Sequence, residues 1–213
     1  IMLDTGAEKI FICDEKGNIL QGDLELAVMA ILVARLTKKA QIAVPVKASR
    51  VVEEIAGKYG AKVIRTKTSF REMMETSAKP GINFLGESLG GFIFPDFQPA
   101  FDAMFASVKL LEMLAKSKIK LSELAAEVPK ITMVSKEISC PPELKGKVLR
   151  TIVDSCQREV DLTDGIKIFY DEDWVLILPD PARPVIHLWA EAKNEKQAQK
   201  LVAEYLKIIN EIL

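Results

Sequence analysis

Residues 41–66 read QIAVPVKASRVVEEIAGKYGAKVIRT, and the order of their apolar runs decides the fold class. Positions 41–46 form a short apolar run of strand length. Positions 50–59 carry apolar residues at helical spacing and stop at Gly60, which suits the left-handed residue that ends a helix. Positions 61–66 form a second apolar strand. A strand, a crossover helix and a second strand imply parallel pairing, with helices on the sheet faces. The fold class is therefore α/β.

The same alternation continues on both sides. Positions 24–37 predict a strongly apolar helix. Ser69, three residues before Glu72, is a capping box that opens another helix. Phe84-Leu85 and Phe92-Ile93-Phe94 flank a glycine-rich turn, and a long helix is expected over 99–115. Together, 24–128 predict a parallel α/β/α domain. Positions 1–23 read as a hairpin: Ile10-Phe11-Ile12, a turn at Glu15-Lys16-Gly17-Asn18, and Ile19-Leu20. So short a piece holds no complete core and must belong to something larger. Beyond Pro129 the order changes, with a strand at 131–140, a helix at 143–159, and strands at 166–170, 174–178 and 185–190. Asn194 then caps a helix that runs to Leu213. One helix, a run of strands and a second helix predict a smaller α+β domain, 129–213, with an antiparallel sheet covered on one face.

The chain has 213 residues, 49% hydrophobic and 28% charged, with a formal net charge of -1. That balance suits a globular protein and gives no attraction toward nucleic acid or an anionic membrane. No apolar run approaches the roughly 20 residues that span a bilayer. Ile1-Met2-Leu3-Asp4 lacks the features of a signal peptide. It opens as if within a strand and without an initiating Met, so a fragment is expected. Cys13, Cys140 and Cys156 are far apart and without metal-ligand spacing; reduced thiols in a cytoplasmic protein are the expectation.

Four groups of residues could carry chemistry. In 86–91, GESLGG, the glycines allow close backbone approach, and Glu87 could accept hydrogen bonds from sugar hydroxyls; the same residues suit a tight turn. In Asp4-Thr5-Gly6-Ala7-Glu8-Lys9, Asp4 and Glu8 could both ligate a hard cation, although Lys9 competes and a plain turn fits equally. Lys47, Arg50 and Lys67 lie at predicted strand ends, where open α/β sheets place their ligand crevices. Such residues are also common solvated caps. His187, the only histidine, alternates with Ile186 and Leu188 and has no acid beside it in the sequence, so it reads as structural rather than as part of a dyad. Trp174 and Trp189 fit strand positions.

Several of these segments together resemble the C-terminal half of the α-D-phosphohexomutase superfamily, the phosphoglucomutases and phosphomannomutases. Residues 4–23, DTGAEKIFICDEKGNILQGD, are similar to the end of the second domain, where a D-x-D-x-D-R loop holds magnesium. Val46-Lys47-Ala48-Ser49-Arg50 resembles the V-K-C-S/T-R of the third domain, and Thr66-Lys67-Thr68 the start of its T/W-K-T-G-H. Residues 86–94 stand where the family has G-E-x-S-G-H, the loop that reads sugar hydroxyls. Asp164-Gly165-Ile166-Lys167 and Ala190-Glu191-Ala192 bracket the phosphate loop of the fourth domain, R-x-S-G-T-E-P. The resemblance runs in order along nearly the whole chain and implies the domains 1–23, 24–128 and 129–213.

The departures bear on function. The metal loop keeps Asp4, but Gly6, Glu8 and Lys9 replace its later Asp, Asp and Arg, which argues against Mg²⁺ here although the family uses it. Glu87 remains, whereas Leu89 and Gly91 replace Ser and His; Ser88, one place early, is a partial substitute. Ser69-Phe70 replace Gly-His after Lys67. The phosphate loop reads Leu178-Pro179-Asp180-Pro181-Ala182-Arg183-Pro184, in which Pro181 lacks the N–H that glycine would donate. Arg183 alone is left to meet a phosphate. The resemblance thus implies Glu87, Ser88 and Lys67 as sugar contacts, Lys47 and Arg50 in the substrate crevice, and Asp4 and Glu8 as the remnant of a metal loop.

The family's phosphoserine belongs to a first domain without counterpart here, so phosphoryl transfer would have no covalent carrier. The expectation is a non-catalytic binding, regulatory or assembly module, as in mannose-1-phosphate guanylyltransferase-like fusions whose mutase-like domains have drifted. Part of a divergent active phosphomannomutase or phosphoglucomutase is one alternative; a structural oligomerisation module is another. The partners implied are mannose or glucose phosphate, N-terminal domains of the same protein, and a second copy of the chain.

Overall fold

A computed structural model describes residues 1–213. The chain folds as two compact units, Ile1–Ile131 and Thr132–Leu213. None of its helices is long and apolar enough to cross a membrane.

The first unit opens with β1 (Met2–Leu3), β2 (Ile10–Cys13) and β3 (Ile19–Leu20), an antiparallel sheet in that order. Asp14 makes the β2–β3 turn. Its carboxylate accepts the Lys16 amide at 2.9 Å, the Asn18 amide at 2.8 Å and the Asn18 Nδ2 at 2.9 Å. The alternation of β2 points Ile10 and Ile12 inward, where they and Leu20 share one core with the helix that follows. That helix, α1 (Asp23–Leu36), is buried without interruption from Glu25 to Ala34. A helix apolar all round must be enclosed on every side, so α1 is the centre of the unit.

Around α1 lie β4 (Gln41–Pro45), α2 (Val51–Lys58), β5 (Lys62–Thr66), α3 (Phe70–Ser77), β6 (Phe84–Gly86), β7 (Phe92–Ile93), α4 (Ala103–Ser117) and α5 (Leu121–Glu127). The sheet order is β5-β4-β6-β7. β4 pairs in parallel with β5 and β6, as the strand–helix–strand reading requires, while β7 runs antiparallel at the edge. The helix expected over 99–115 begins only at Ala103, because Asp102 caps it by accepting the Phe105 amide at 2.8 Å. The short α5 was not legible in the periodicity. Its start is tied from outside, by the Glu15 carboxylate accepting the Ser122 amide and hydroxyl.

The second unit comprises β8 (Met133–Ser139), α6 (Pro142–Ser155), β9 (Val160–Asp161), β10 (Ile166–Tyr170), β11 (Asp173–Pro179), β12 (Val185–Glu191) and α7 (Glu195–Ile212). All strands are antiparallel, in the order β8-β12-β11-β10-β9. The expected helix over 143–159 stops at Ser155, and the residues after it return as the edge strand β9. Val175, Ile177, Ile186, Leu188 and Ala190 on one sheet face pack with Val148 and Ile152 of α6 and Leu201, Val202 and Ile209 of α7. Asn194 caps α7 by accepting the Gln197 amide at 2.9 Å.

Candidate functional site

In the first unit, the loops that leave β4 and β6 converge with the hairpin. Lys9 bridges to Gly91, and the Ile10 amide donates to the Gly90 carbonyl at 3.0 Å. Gly90 has φ +85, and a Cβ there would lie 2.1 Å from the Ile10 carbonyl oxygen. Only glycine allows this approach. The loop places Glu87 inside the protein, with 1% of its surface exposed. Lys9 Nζ lies 3.8 Å from Glu87 Oε1 and Lys47 Nζ lies 3.9 Å from Oε2. Both are ion pairs too long to be hydrogen bonds, and Oε1 has no hydrogen-bond partner.

The loop after β4 is held by Arg65 of β5. Its guanidinium donates to Glu53 at 2.7 and 2.6 Å, to the Pro45 carbonyl at 3.0 Å and to the Ala48 carbonyl at 2.7 Å. Such a bidentate pair fixes direction as well as charge, so Lys47 leaves a rigid base. Ser88 Oγ donates to Asp23 Oδ1 at 2.9 Å, and the same oxygen accepts the Ser49 amide at 2.9 Å. Asp23 thereby joins the two loops at the start of α1. Two residues further along α1 is Glu25, 3% exposed, whose Oε1 also lacks a hydrogen-bond partner. Burial, and then the charge of Glu87, pushes its carboxyl up to about 8.

Of the residues singled out in the sequence, Glu87 and Lys47 are brought together, and Ser88 joins them through the loop. Lys67 follows β5 and turns onto α3, with Nζ 3.0 Å from Glu72 Oε1. Arg50 directly precedes α2 and its carbonyl accepts the Glu53 amide at 3.0 Å. Three further residues belong to the cluster. Lys9 counted in the sequence only as a competitor in the metal loop, and Asp23 as the hairpin's last residue. Glu25 carried a readable signal: a lone acid among the apolar residues of α1.

Asp4 is occupied in closing its own turn. Its Oδ1 accepts the Glu8 amide at 2.8 Å and the Lys9 amide at 3.1 Å, and these bonds, the Lys9 one foremost, hold its carboxyl below the usual range. No three His, Cys, Asp or Glu side chains are grouped to hold a metal ion. Magnesium asks for octahedral oxygen ligation, and the donors of this loop do not fit it.

In the second unit the loop after β11 forms a closed network of ion pairs. Asp180 Oδ1 accepts the Ala182 amide at 2.9 Å and the Arg183 amide at 2.8 Å. Its Oδ2 takes Arg183 Nε at 3.0 Å and lies 2.9 Å from His187 Nε2. Arg183 also reaches Glu137 of β8 at 2.9 and 3.3 Å. Lys145 of α6 donates to the carbonyls of Asp180 at 2.6 Å and Arg183 at 2.5 Å. The expectation that His187 stands apart from any acid is overturned. Its Nδ1 lies 3.1 Å from Glu137 Oε1, because β8 and β12 pair Glu137 with His187, and its Nε2 faces Asp180. The hydrogen bond from His187 is the first of the causes that hold the Asp180 carboxyl well below the ordinary carboxylate range; Arg183 does the same for Glu137. An anion approaching Arg183 meets two carboxylates already bound to it.

This chain is similar to mutases of phosphorylated sugars. A phosphoglucomutase/phosphomannomutase of Thermococcus kodakarensis is 32% identical over 216 residues, covering 99% of this chain and 46% of that protein. A probable phosphoglucosamine mutase of Methanopyrus kandleri is 30% identical over 210 residues, covering 97% and 46%. The chain thus spans about half the length of these curated relatives. In fold it is similar to a phosphoglucomutase/phosphomannomutase family protein of Burkholderia thailandensis, with TM-score 0.82 and 21% identity over 99% of this chain and 46% of that one. It is also similar to the N-acetylphosphoglucosamine mutase of Aspergillus fumigatus solved with GlcNAc-6P and magnesium, with TM-score 0.71 and 14% identity over 99% and 48%. Residues 21–131, about half of the chain, match the model of the phosphoglucomutase/phosphomannomutase α/β/α domain III. The chain therefore belongs to the phosphoglucomutase/phosphomannomutase family, the α-D-phosphohexomutases.

Proposed function

We propose that this chain is the sugar-phosphate-binding C-terminal half of a phosphohexomutase-type protein and does not itself transfer the phosphoryl group. Residues 1–23 would close the family's second domain, with 24–128 as the third and 129–213 as the fourth. The observation that carries the reading is Glu87. A carboxylate that is 1% exposed, with one oxygen lacking a hydrogen-bond partner, costs free energy unless a donor arrives. The hydroxyls of a hexose are such donors, and Lys9 and Lys47 beside it suit the anionic group of a sugar phosphate. Ser88, Arg50 and Lys67 lie on the same loops or strand ends as further contacts.

In the closed Asp180–Arg183–Glu137 network Arg183 would have to leave two carboxylates to hold a phosphate, which favours a chain without a working phosphate clamp at this loop and leaves ligand binding to the Glu87 cluster. That loop is also what supports a setting like the mannose-1-phosphate guanylyltransferase fusions, with N-terminal domains or a second copy as partners. The relatives described above carry mutase names, which favours the mutase setting.

Calorimetric titration with glucose 1-phosphate, mannose 1-phosphate and glucosamine 1-phosphate tests the reading. Binding tighter than about 0.1 mM, near −5.5 kcal/mol, that is lost in Glu87→Ala supports it. Absence of binding leaves a structural module. Turnover of a hexose phosphate by this chain overturns the non-catalytic part.

A further inference from the structure

Two buried carboxyl groups of the first unit, Glu25 and Glu87, lie on segments joined by the hydrogen bond from Ser88 to Asp23 at 2.9 Å. Ser88 directly follows Glu87, and Asp23 stands two residues before Glu25. The cations are shared between the two groups unequally. Lys9 and Lys47 sit at 3.8 and 3.9 Å from Glu87, one on each oxygen. Glu25 has no ion pair, is 3% exposed, and keeps Oε1 without a hydrogen-bond partner. Asp23, on the same helix, is engaged by Ser88 and the Ser49 amide. Neighbouring carboxylates in a poorly solvated site do not both ionise cheaply, and a nearby cation decides which one does. Both lysines lie on Glu87 and neither on Glu25, so the proton goes to Glu25. The helix N-terminus near Glu25 favours its charged form, but burial and the Glu87 charge outweigh it.

We propose that Glu25 holds a proton beside Glu87 and so sets the charge of the Lys9–Lys47–Glu87 cluster, making capture of an anionic sugar depend on that single proton. The inference rests on the sugar-phosphate reading above and makes Glu25 a positioning residue, since it acts through Glu87. Ionisation of Glu25 adds one negative charge to a site that already sets Glu87 and Asp23 against Lys9 and Lys47, and so disfavours an anionic ligand. Both lysine side chains keep 22% of their surface exposed, so a ligand can reach them.

The test is calorimetric binding of glucose 1-phosphate to the full 213-residue chain between pH 6.5 and 9.0, with wild type and Glu25→Gln. Wild type is expected to lose affinity about tenfold across that range, with a midpoint near 8. Glu25→Gln, neutral at every pH, is expected to hold its low-pH affinity. A parallel loss in both chains overturns the role of Glu25 while leaving the sugar-phosphate reading intact. No binding by wild type at any pH overturns the sugar-phosphate reading and this inference with it. Carboxyl-carbon NMR of the unmutated chain gives a readout that needs no variant: a Glu25 midpoint near 8 supports the proposal, and one in the ordinary glutamate range overturns it.

Discussion

His187 stands directly across the β8–β12 ladder from Glu137, with its Nδ1 3.1 Å from a Glu137 oxygen. Its other ring nitrogen is 2.9 Å from Asp180. The imidazole is thus clamped between two acids, one placed by strand register and one by the loop, and Arg183 closes the ring of charges over them. A loop held from three directions, with Lys145 on its carbonyls, is a brace for the edge of the sheet.

That brace is expected to fail in acid. The Asp180 and Glu137 carboxyls are both held below their ordinary values in the folded chain. Groups of this kind contribute stability above the unfolded carboxylate pKa and lose it as pH falls through the folded value. Asp180→Asn should therefore melt below wild type at pH 6, and the gap should narrow as pH falls from about 4 toward 2. Thermal melts at stepped pH read the effect; a gap that stays constant to pH 2 contradicts it.

Glu25 gives the opposite pH signature. Its folded pKa is raised to about 8, so the stability present below its unfolded value is lost as pH rises from there through the folded value. Glu25→Leu, which removes a buried polar group lacking one hydrogen bond, should be more stable than wild type by about 1–3 kcal/mol near pH 8.5. The gain should shrink toward pH 5. Urea unfolding at the two pH values decides the matter.

Gly90→Ala should be strongly destabilising. A methyl group would meet the Ile10 carbonyl at 2.1 Å, in a backbone with φ +85 that L-residues rarely adopt. Relief requires breaking the Lys9–Gly91 bridge, and a cost above about 2 kcal/mol is expected. Urea unfolding measures it. Where the variant remains folded, glucose 1-phosphate binding should be lost with the placement of Lys9.

Lys47 and Lys67 should separate in binding experiments. Lys47→Met removes a cation 3.9 Å from Glu87, whereas Lys67→Met removes one that is paired with Glu72 at 3.0 Å and half exposed. Glucose 1-phosphate affinity should fall several-fold more in the first variant than in the second. Equal losses would place Lys67 at the ligand on the same footing.

Much of the fold was legible because it is written in local periodicity. The run 41–66 yields β4, α2 and β5 in parallel pairing, and the strongly apolar stretch 24–37 yields α1. Glu87 and Lys47 could be singled out because glycine clusters and strand ends mark crevices on an α/β sheet. α5 and β9 were not legible: α5 is short and tied by Glu15, distant in sequence, and β9 is a two-residue strand that exists only through its pairing with β10.

What the sequence determined by itself was the order of the longer strands and helices, the family to which its loops are similar, and the loss of carboxylates and glycines from those loops. These follow from spacing and residue type, which need no third dimension. The tertiary structure decided which charges meet. Residue 9 reaches residue 87, and residue 25 shares its burial, because the hairpin and α1 pack against the sheet loops. Residue 187 meets residue 137 because two strands pair in one register and not another. Electrostatic energy depends on separation and burial, and neither distance along the chain nor composition contains them.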